Sequence, residues 1–518
     1  MSNLKGPPTS IPEYFAGQSI LITGGTGLMG KVLLEKILRC CPDIAKIYLL
    51  IRPKKHGSVQ QRWEEITELP LFDILRKINP ESFSKVHLVK GDISEENLGL
   101  SEEDKQMLIE KVTIVYHAAA MIQFTDNLHE LLIKNTKATY IILNLAKRMI
   151  NLQLFLYVST AFSNMNIPCD EVEERVLPAC QDWRDILYLL DNEPSTLTAL
   201  KEKLMCGHPN GYTWSKSMSE QIVDEHKDIF PTVIIRPTIV NTTFKEPFEG
   251  WADILAGLSA ISVPIGLGLI RVVYSRDECH QDHIPADIAI NAMLVATWKK
   301  YMEPRKGETD VYNCGIAKQL PIRTSLLKKY AEQTVREYTS KNTIWPMHHV
   351  FTTNDTLFYI YFILLQVIPA VIMDSFLFLA GKKPMVIKLT KKASNLIRMF
   401  KSFSSNELEF PNDKFLQLEK YVSEKDKIFS MSIDGLTGLA QMRSGMRAVL
   451  KYCFKEDISE ESLARNRRRI FWLKIIDKSL IYSFYLICCW LILRLLGSFD
   501  SVRSVSYIAH KAFWSCNI

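Results

Sequence analysis

Short apolar runs alternate with longer amphipathic segments through the first half of this chain. The first run, Ser19–Thr23, ends at a glycine-rich turn, and residues 31–40 after the turn carry apolar side chains at helical spacing. Further strand-like runs lie at 47–51, 86–89, 113–116, 154–158 and 232–235, with segments of helix length such as 131–148 between them. This alternation predicts an α/β fold, with a doubly wound parallel sheet covered by helices on both faces.

A longer apolar run near the end of the chain is a candidate membrane segment. Residues 479–493 are fifteen residues without a charge, which is borderline for a membrane-spanning helix. Four arginines at 465–469 and two lysines precede this run, whereas only three basic residues follow it. The positive-inside bias therefore predicts that the body before the run faces the cytosol. A buried core helix is the alternative interpretation.

A second apolar run, residues 357–373, is seventeen residues without a charge. It is interrupted by Pro369 and followed at once by Asp374, and neither residue suits a simple membrane-crossing helix. We therefore expect this run to lie in the membrane interface or to form a re-entrant segment rather than to cross.

Composition and charge narrow the class of protein. Hydrophobic residues make up 47% and charged residues 23% of the chain, which is the ordinary composition of a globular protein. Its 518 residues are enough for two or three domains. Sixty-three basic against 57 acidic residues leave a net charge of +6, which is too dilute to indicate nucleic-acid binding. The first ten residues are polar, unlike a secretory signal, and eleven cysteines without a CxxC pair predict reduced thiols.

The glycine-rich turn after the first strand predicts a dinucleotide site. Its glycines follow a GxxGxxG spacing between a strand and a helix, which lets the turn tighten and the backbone approach a pyrophosphate. A plain glycine-rich turn is the alternative, but a second strand follows at βαβ distance and favours the Rossmann interpretation. The predicted cofactor-binding residues of the turn are Gly24, Gly25, Thr26, Gly27, Leu28, Met29 and Gly30.

The residue after the second strand indicates which dinucleotide is bound. An acidic residue here would bind the adenosine ribose, whereas an arginine pairs with a 2'-phosphate. The position holds Arg52, with Lys54 and Lys55 close by and no acidic residue between Asp43 and Glu64. The sequence therefore favours NADPH over NADH, with a solvated basic loop as the alternative.

Ligands of such sheets gather at the carboxyl ends of the strands. Asp92, followed by Ile93, is placed to bind an adenine amino group, and the small Ala118 and Ala119 let a cofactor lie close to the backbone. The alternative for Asp92 and for the two alanines is that they are loop residues without a role in binding. The remaining strand-end residues that we expect at the site are Ser159, Thr160 and Pro237.

Tyr212 and Lys216 lie four residues apart, on one face of a predicted helix. Lys216 is expected to lower the pKa of the Tyr212 phenol and to hold the nicotinamide ribose, so that Tyr212 exchanges the proton that accompanies hydride transfer. The YxxxK pattern occurs three times, but only this pair lies in the dinucleotide-binding half. A hydroxyl from Thr160, or failing that Ser159, would complete a small oxyanion site.

Other catalytic classes have weaker support. The close histidine sets, His280 with His283 and His348 with His349, have no companion at zinc spacing, so no metal is expected. No GxSxG motif occurs, which leaves a serine hydrolase unsupported.

Several motifs together resemble an extended short-chain dehydrogenase/reductase, and more narrowly a fatty acyl-CoA reductase. They are TGGTGLMG, IRP, GDI, HAAA, YVSTAF, YTWSK, IIRPT and DHIPADIAINAM, and the likeness runs through roughly residues 15 to 450. The resemblance implies NADPH-dependent reduction of a long-chain acyl-CoA to a primary alcohol with release of CoA, and a supporting role for Asn135. Phe162, Ala138 and Ala286 depart from the family pattern, so the acyl length stays open.

The resemblance also implies a domain plan. We expect a reductase domain over 15–300, a connecting region over 301–355, a mainly helical male-sterility-type domain over 356–452 and a membrane segment over 470–497. A long-chain acyl-CoA partitions into bilayers, so the expected partner is a lipid bilayer of the endoplasmic reticulum or peroxisome. A membrane-bound dehydrogenase of steroids or other alicyclic alcohols, and a non-catalytic NADP-binding scaffold, are the alternatives.

Overall fold

The structure, a computed structural model, describes residues 8–54, 57–122, 127–255, 257–303 and 307–515. Lys55, one of the basic residues noted above, lies outside these ranges. The strands are β1 (Ser19–Thr23), β2 (Lys46–Ile51), β3 (Val86–Lys90), β4 (Ile114–His117), β5 (Leu154–Val158), β6 (Thr232–Pro237), β7 (Ile239–Asn241), β8 (Val272–Tyr274), β9 (His280–Gln281), β10 (His283–Pro285), β11 (Thr309–Cys314), β12 (Ile322–Arg323) and β13 (Val350–Thr352).

Helices make up most of the remainder. The α-helices are α1 (Ile11–Phe15), α2 (Leu28–Cys40), α3 (Val59–Thr67), α4 (Asp73–Ile78), α5 (Glu102–Lys111), α6 (Leu128–Leu131), α7 (Ala138–Ala146), α8 (Trp183–Asn192), α9 (Pro194–Ala199), α10 (Lys201–Leu204), α11 (Gly211–Asp224), α12 (Ser259–Gly266), α13 (Ala286–Met302), α14 (Thr324–Glu337), α15 (Asp355–Phe362), α16 (Ile368–Leu379), α17 (Val386–Ser404), α18 (Asp413–Gln417), α19 (Gly438–Ala448) and α20 (Glu460–Ser515). Short 3-10 segments lie at Pro70–Phe72, Pro80–Lys85, Glu96–Gly99, Ala161–Asn164, Cys169–Glu171, Leu418–Tyr421 and Glu424–Phe429, and π-helical segments at Leu132–Lys137, Ile363–Val367 and Val449–Cys453.

The predicted parallel sheet is confirmed. Seven strands form it in the order β11-β6-β5-β4-β1-β2-β3, and every neighbouring pair is parallel. The chain changes direction across the sheet between β1 and β4, and the carboxyl ends of those two strands open a crevice of the kind that binds ligands in doubly wound folds.

Alternate residues of the strands face two different helical layers, because side chains of a strand point to opposite faces in turn. Ile20 and Ile22 of β1 join a core with α2 and α13, whereas Leu21 joins a core with α5, α7 and α11. Helices therefore cover both faces of the sheet, and this is why the strand sequences are almost continuously apolar.

The sheet and the core both extend beyond the predicted reductase domain. Strand β11 pairs along β6 although it lies in the predicted connecting region 301–355. Phe415, Leu418 and Phe429 belong to the same buried cluster as β1 and α2. The C-terminal region is helical as predicted, but part of it shares the core of the reductase body.

One expectation about the cysteines is wrong. Cys180 and Cys206 form a disulfide, whereas all thiols were expected to be reduced. Because the two cysteines lie 26 positions apart in the sequence, no local motif signals the pair.

Two helices among the described residues are long and apolar enough to cross a membrane, judged by length and composition. They are the continuous helix Asp355–Leu379 and the segment Glu460–Arg494 of α20. The apolar window of the second is wholly exposed to solvent, which is not the environment of a soluble core helix.

Candidate active site

Backbone atoms pack closely against the glycines of the glycine-rich turn. Gly24 has φ +77°, and a Cβ on it would lie 2.6 Å from the backbone nitrogen of Ala119. A Cβ on Gly30 would lie 2.2 Å from the carbonyl oxygen of Gly24. Helix α2 begins at Leu28, so the first amide groups of the helix, which lack partners within it, lie at the turn and suit a phosphate.

A cavity of about 470 Å³ lies beside this turn at the crevice between β1 and β4. Predicted residues that follow four different strands line it, because the carboxyl ends of parallel strands meet at one edge of the sheet. The predicted cofactor-binding residues that line it are Gly24, Thr26, Gly27, Arg52, Asp92, Ile93, Ala118 and Ala119. The residues present therefore fit a dinucleotide, with glycines where the backbone must be approached.

The cavity contains a second guanidinium that sequence reasoning missed. Arg62 of α3 lines the cavity, donates to Thr26 Oγ1 at 3.0 Å and donates to the carbonyl oxygen of Arg52 at 2.6 Å. Burial and the neighbouring Arg52 lower the pKa of Arg62. Arg52 itself lies 3.3 Å from Asp92. The available signal was the position of Arg62 one helical turn after the Ser58 N-cap of α3, on the side of the basic loop.

Tyr212 and Lys216 lie in the first half of α11, as predicted, and both are buried. The Asn210 side chain accepts the amide of Thr213 and so fixes the start of this helix. Lys216 Nζ donates to Tyr157 Oη at 3.1 Å and to the carbonyl oxygen of Val158 at 2.7 Å.

The pKa of the Tyr212 phenol was expected to be lowered, and this expectation is wrong in direction. Burial raises the pKa of Tyr212 to about 12, and only a hydrogen bond with Thr160 opposes this. Burial lowers the pKa of Lys216 to about 7, with Glu220 acting in the opposite sense. The physical reason is the burial of the phenol. The Lys216 ammonium donates to Tyr157, a residue that sequence reasoning did not assign.

Tyr157 connects the catalytic helix to the cofactor cavity. Its ring lies under the Lys216 ammonium at 4.5 Å and stacks on His117, with ring centroids 5.5 Å apart. His117 is the last residue of β4 and directly precedes Ala118, which lines the cavity. The Tyr212 helix and the cavity are thus joined through buried side-chain contacts.

Asn135 provides another connection. Its Nδ2 donates to Ser215 Oγ on α11 at 2.9 Å, and its Oδ1 accepts the amide of Met121, which lines the cavity. Asn135 lies in the π-helical segment Leu132–Lys137, and the wider turn places its side chain between the two elements. It is buried, which suits the supporting position inferred from resemblance.

The two candidate hydroxyl groups after β5 have different partners. Thr160 shares a hydrogen bond with Tyr212, and its Oγ1 lies 3.4 Å from the carbonyl oxygen of Pro237. Ser159 Oγ instead donates to Glu220 Oε1 at 2.5 Å. The geometry therefore places the threonine beside the phenol and ties the serine into a structural network.

That network is built on a buried ion pair that sequence reasoning missed. Arg236 of β6 and Glu220 of α11 are 0% and 1% exposed, and Arg236 Nη2 lies 2.6 Å from Glu220 Oε2. Arg236 also donates to the carbonyl oxygens of Glu173 and Arg175. Glu220 follows Lys216 by four residues on α11, so the pair fixes the helix that carries the catalytic candidates.

The C-terminal region packs on the same site. Phe162, two residues after Thr160, contacts Phe403 and Phe410 edge-on, with centroid distances of 4.8 and 5.5 Å. Phe162 was noted as a departure from the family pattern, and the structure shows that its aromatic ring anchors the C-terminal region beside the site.

One group of three candidate metal ligands occurs within the described residues. His280, Glu407 and Glu409 lie together, partly or fully exposed, and His280 Nδ1 is 2.7 Å from Glu407 Oε1. His283 is buried in β10 and does not join this group. The expectation that the protein uses no metal stays a prediction.

Two family models match the chain, and both carry the description male sterility protein. They cover residues 22–293 and 365–456. Among curated relatives, the chain is 31% identical to fatty acyl-CoA reductase 1 of Gallus gallus over 458 residues, 88% of each chain. It is 30% identical to fatty acyl-CoA reductase wat of Drosophila melanogaster over 500 residues, 94% of this chain and 93% of the relative.

Solved structures show the same fold at low sequence identity. The terminal R domain of the myxalamid PKS-NRPS pathway has a TM-score of 0.56 at 19% identity, covering 87% of this chain and 93% of that one. The reductase domain of a nonribosomal peptide synthetase from Mycobacterium tuberculosis has a TM-score of 0.57 at 17% identity, with coverages of 86% and 93%.

Proposed function

Because this chain belongs to the fatty acyl-CoA reductase family, we propose that it reduces a long-chain fatty acyl-CoA to the primary alcohol and releases CoA. The observation that carries this proposal is the Tyr212–Thr160 pair, which is buried and joined through Tyr157 and His117 to a glycine-lined cavity. The family membership and the C-terminal domain weigh against a dehydrogenase of alicyclic alcohols.

The cofactor that we propose is NADPH, held by the glycine turn with Arg52 and Arg62 at its phosphate end; two molecules, bound one after the other, would each supply one hydride. Tyr212 and Thr160 donate hydrogen bonds to the carbonyl oxygen of the thioester, and Tyr212 gives it a proton. The resulting hemithioacetal breaks its carbon–sulfur bond to give the aldehyde and the CoA thiol. Once the spent cofactor has been exchanged and Tyr212 has regained a proton from the medium, Tyr212 protonates the aldehyde oxygen in the second round.

Lys216 and Tyr157 have positioning roles in this proposal. The Tyr157 hydroxyl and the Val158 carbonyl oxygen hold the Lys216 ammonium at the end of β5, and we assign it to the ribose next to the nicotinamide. We assign Ser159 to the structural network around Glu220 and Thr160 to the oxyanion site, since only the threonine contacts the phenol.

The reaction has a stoichiometry that distinguishes it from its alternatives. Full-length protein in detergent, given NADPH and hexadecanoyl-CoA, is expected to release one free thiol, read with a disulfide dye, for every two NADPH oxidised. Hexadecanol should appear by gas chromatography in the same amount as the thiol. A dehydrogenase of alicyclic alcohols would release no thiol, and one NADPH per thiol with accumulating aldehyde would contradict the second reduction.

The choice between NADPH and NADH is tested at Arg62. Replacing Arg62 with glutamine should raise the KM for NADPH roughly 10- to 100-fold, because a charge-assisted bond to a phosphate contributes about 1.5 to 3 kcal/mol. The KM for NADH should stay within about twofold, since NADH has no 2'-phosphate. Lys77→Gln removes an exposed charge away from the cavity and is the matched control. An equal rise for both cofactors would contradict the 2'-phosphate assignment.

We further propose that the protein is membrane-bound through α20, with the catalytic body facing the cytosol, on the endoplasmic reticulum or peroxisome. Support comes from the exposed apolar window of Glu460–Arg494 and from the arginines that precede it. Long-chain acyl-CoA and fatty alcohol both partition into bilayers, so a tethered enzyme works where its substrate and product reside.

A further inference from the structure

A second membrane contact is suggested by the helical hairpin of residues 355–404, formed by α15, the π-helical segment Ile363–Val367, α16, a turn and α17. The helix Asp355–Leu379 buries a single stripe of side chains against the body. The members of this stripe are Phe358, Gln366, Ala370 and Asp374, spaced at multiples of four residues.

The rest of that helix presents large apolar side chains to solvent. Their exposed fractions run from 43% at Leu357 to 80% at Leu379, far above what a helix in a soluble core would show. Contiguous exposed apolar surface of this extent marks a contact with another apolar phase or partner. These residues are Leu357, Tyr359, Ile360, Ile363, Leu364, Ile368, Val371, Ile372, Phe376, Phe378 and Leu379.

The hydrogen bonds of Asp374 explain why this carboxylate lies within an otherwise apolar helix. Its oxygens accept the backbone amides of Met385, Val386 and Ile387 at 2.8 to 2.9 Å, at the start of α17. A carboxylate that binds these otherwise unpaired amides caps the helix and fixes the reversal of the chain.

The two ends of the hairpin meet on the protein body. Lys401 near the end of α17 forms an ion pair with Asp355 at the start of α15, and Ser404 Oγ donates to the carbonyl oxygen of Tyr274 at 2.5 Å. The 25-residue helix is about 37 Å long at 1.5 Å per residue, so it could reach across a bilayer. However, α17 would then have to return across it.

The charges of α17 and its turn exclude such a return. Between residues 375 and 406 the chain has seven basic residues and no acidic one, although the whole chain is nearly balanced. Five of the basic residues are exposed lysines, at 382, 383, 388, 391 and 392. An apolar helix paired with a basic one suits the headgroup region of a membrane with anionic lipid, because the negative surface attracts each lysine.

We propose that the hairpin 355–404 lies in one leaflet of an anionic bilayer as a second membrane contact, without crossing it. Its end is joined to the catalytic site, since Phe403 packs on Phe162 beside Thr160. A hairpin held in the lipid would therefore be in direct contact with the region beside Thr160. The inference extends the proposed membrane attachment and does not rest on the reaction.

The contact is tested by photocrosslinking in the full-length chain. With benzoylphenylalanine in place of Phe378, the protein is reconstituted into vesicles of phosphatidylcholine with phosphatidylserine. Position 378 should crosslink to lipid, whereas the same probe at Tyr188, an exposed side chain of α8, should not. Crosslinks from 378 to a second copy of the chain, or no lipid crosslink, would overturn the proposal.

Charge and topology variants complete the test. Replacing Lys382, Lys383 and Lys388 with glutamate should lower the lipid crosslink at least about threefold. The same change at the exposed Lys201, Lys203 and Lys420 should leave it unchanged. A glycosylation acceptor inserted by a linker after Gly381 should stay unmodified in microsomes, and its glycosylation would show that the hairpin crosses. Thiol release from hexadecanoyl-CoA, assayed in detergent, reports the reaction separately.

Discussion

Replacing Tyr212 with phenylalanine is expected to reduce both thiol release and alcohol formation about 10²- to 10⁴-fold, the usual contribution of a positioned acid. The substitution removes only the hydroxyl that shares a hydrogen bond with Thr160. Because the ring remains, the buried face of α11 should pack as before. The dissociation constant for NADPH, read by quenching of tryptophan fluorescence, should stay within about twofold.

The chain provides a matched control for this substitution. Tyr421 and Lys425 repeat the YxxxK pattern, but Tyr421 Oη donates to Glu303 Oε1 at 2.7 Å in the C-terminal region. Tyr421→Phe should therefore keep wild-type rates of thiol and alcohol formation. Wild-type turnover in the Tyr212 variant would instead contradict the assignment of Tyr212 as the proton donor and would support a non-catalytic NADP-binding protein.

The elements of the sheet were predictable because their signals are local. Residues 154–158 form β5 with the predicted bounds, and β1 also begins and ends where the apolar run does. The glycine turn was predictable for the same reason, since the glycine spacing stands directly between a strand and a helix and Gly24 has a positive φ of +77°.

The missed parts of the site depend on contacts between distant segments. Arg62 reaches the cavity only because α3 folds beside the glycine turn, and its place one helical turn after the Ser58 N-cap does not by itself show that contact. The direction of the Tyr212 pKa was missed because the spacing of four residues does not show how deeply the phenol is buried, nor where the ammonium of Lys216 points. Tyr157, from the neighbouring strand, accepts a hydrogen bond from that ammonium.

The domain boundary was missed for a related reason. Strand β11 lies beyond residue 300, and its pairing with β6 is visible only in three dimensions. The C-terminal region returns to the same place, since Asn313 in β11 donates from Nδ2 to the carbonyl oxygen of Pro411 at 2.7 Å. A division into separate domains by sequence position therefore cuts through a shared core.

The buried pair of Glu220 and Arg236 leads to the largest expected effect on stability. Replacing Glu220 with glutamine leaves a guanidinium charge buried without its counter-ion, which costs about 3 to 5 kcal/mol. The unfolding temperature, read by circular dichroism, should fall roughly 3 to 5 °C, because the unfolding entropy of a chain of 518 residues is about 1.1 kcal/mol/K. Glu225→Gln is the matched control, because it breaks the Arg184 ion pair at the exposed end of the same helix, and exposed pairs contribute about 0 to 1 kcal/mol.

A double variant separates loss of the pair from loss of packing. Glu220→Leu with Arg236→Met removes both charges, and buried ion pairs replaced by apolar residues often cost little. The double variant should therefore be more stable than the sum of the two single changes predicts. Strict additivity of the single changes would show that the two charges do not act together. Equal unfolding temperatures for Glu220→Gln and Glu225→Gln would show that the buried network contributes no more than a surface pair.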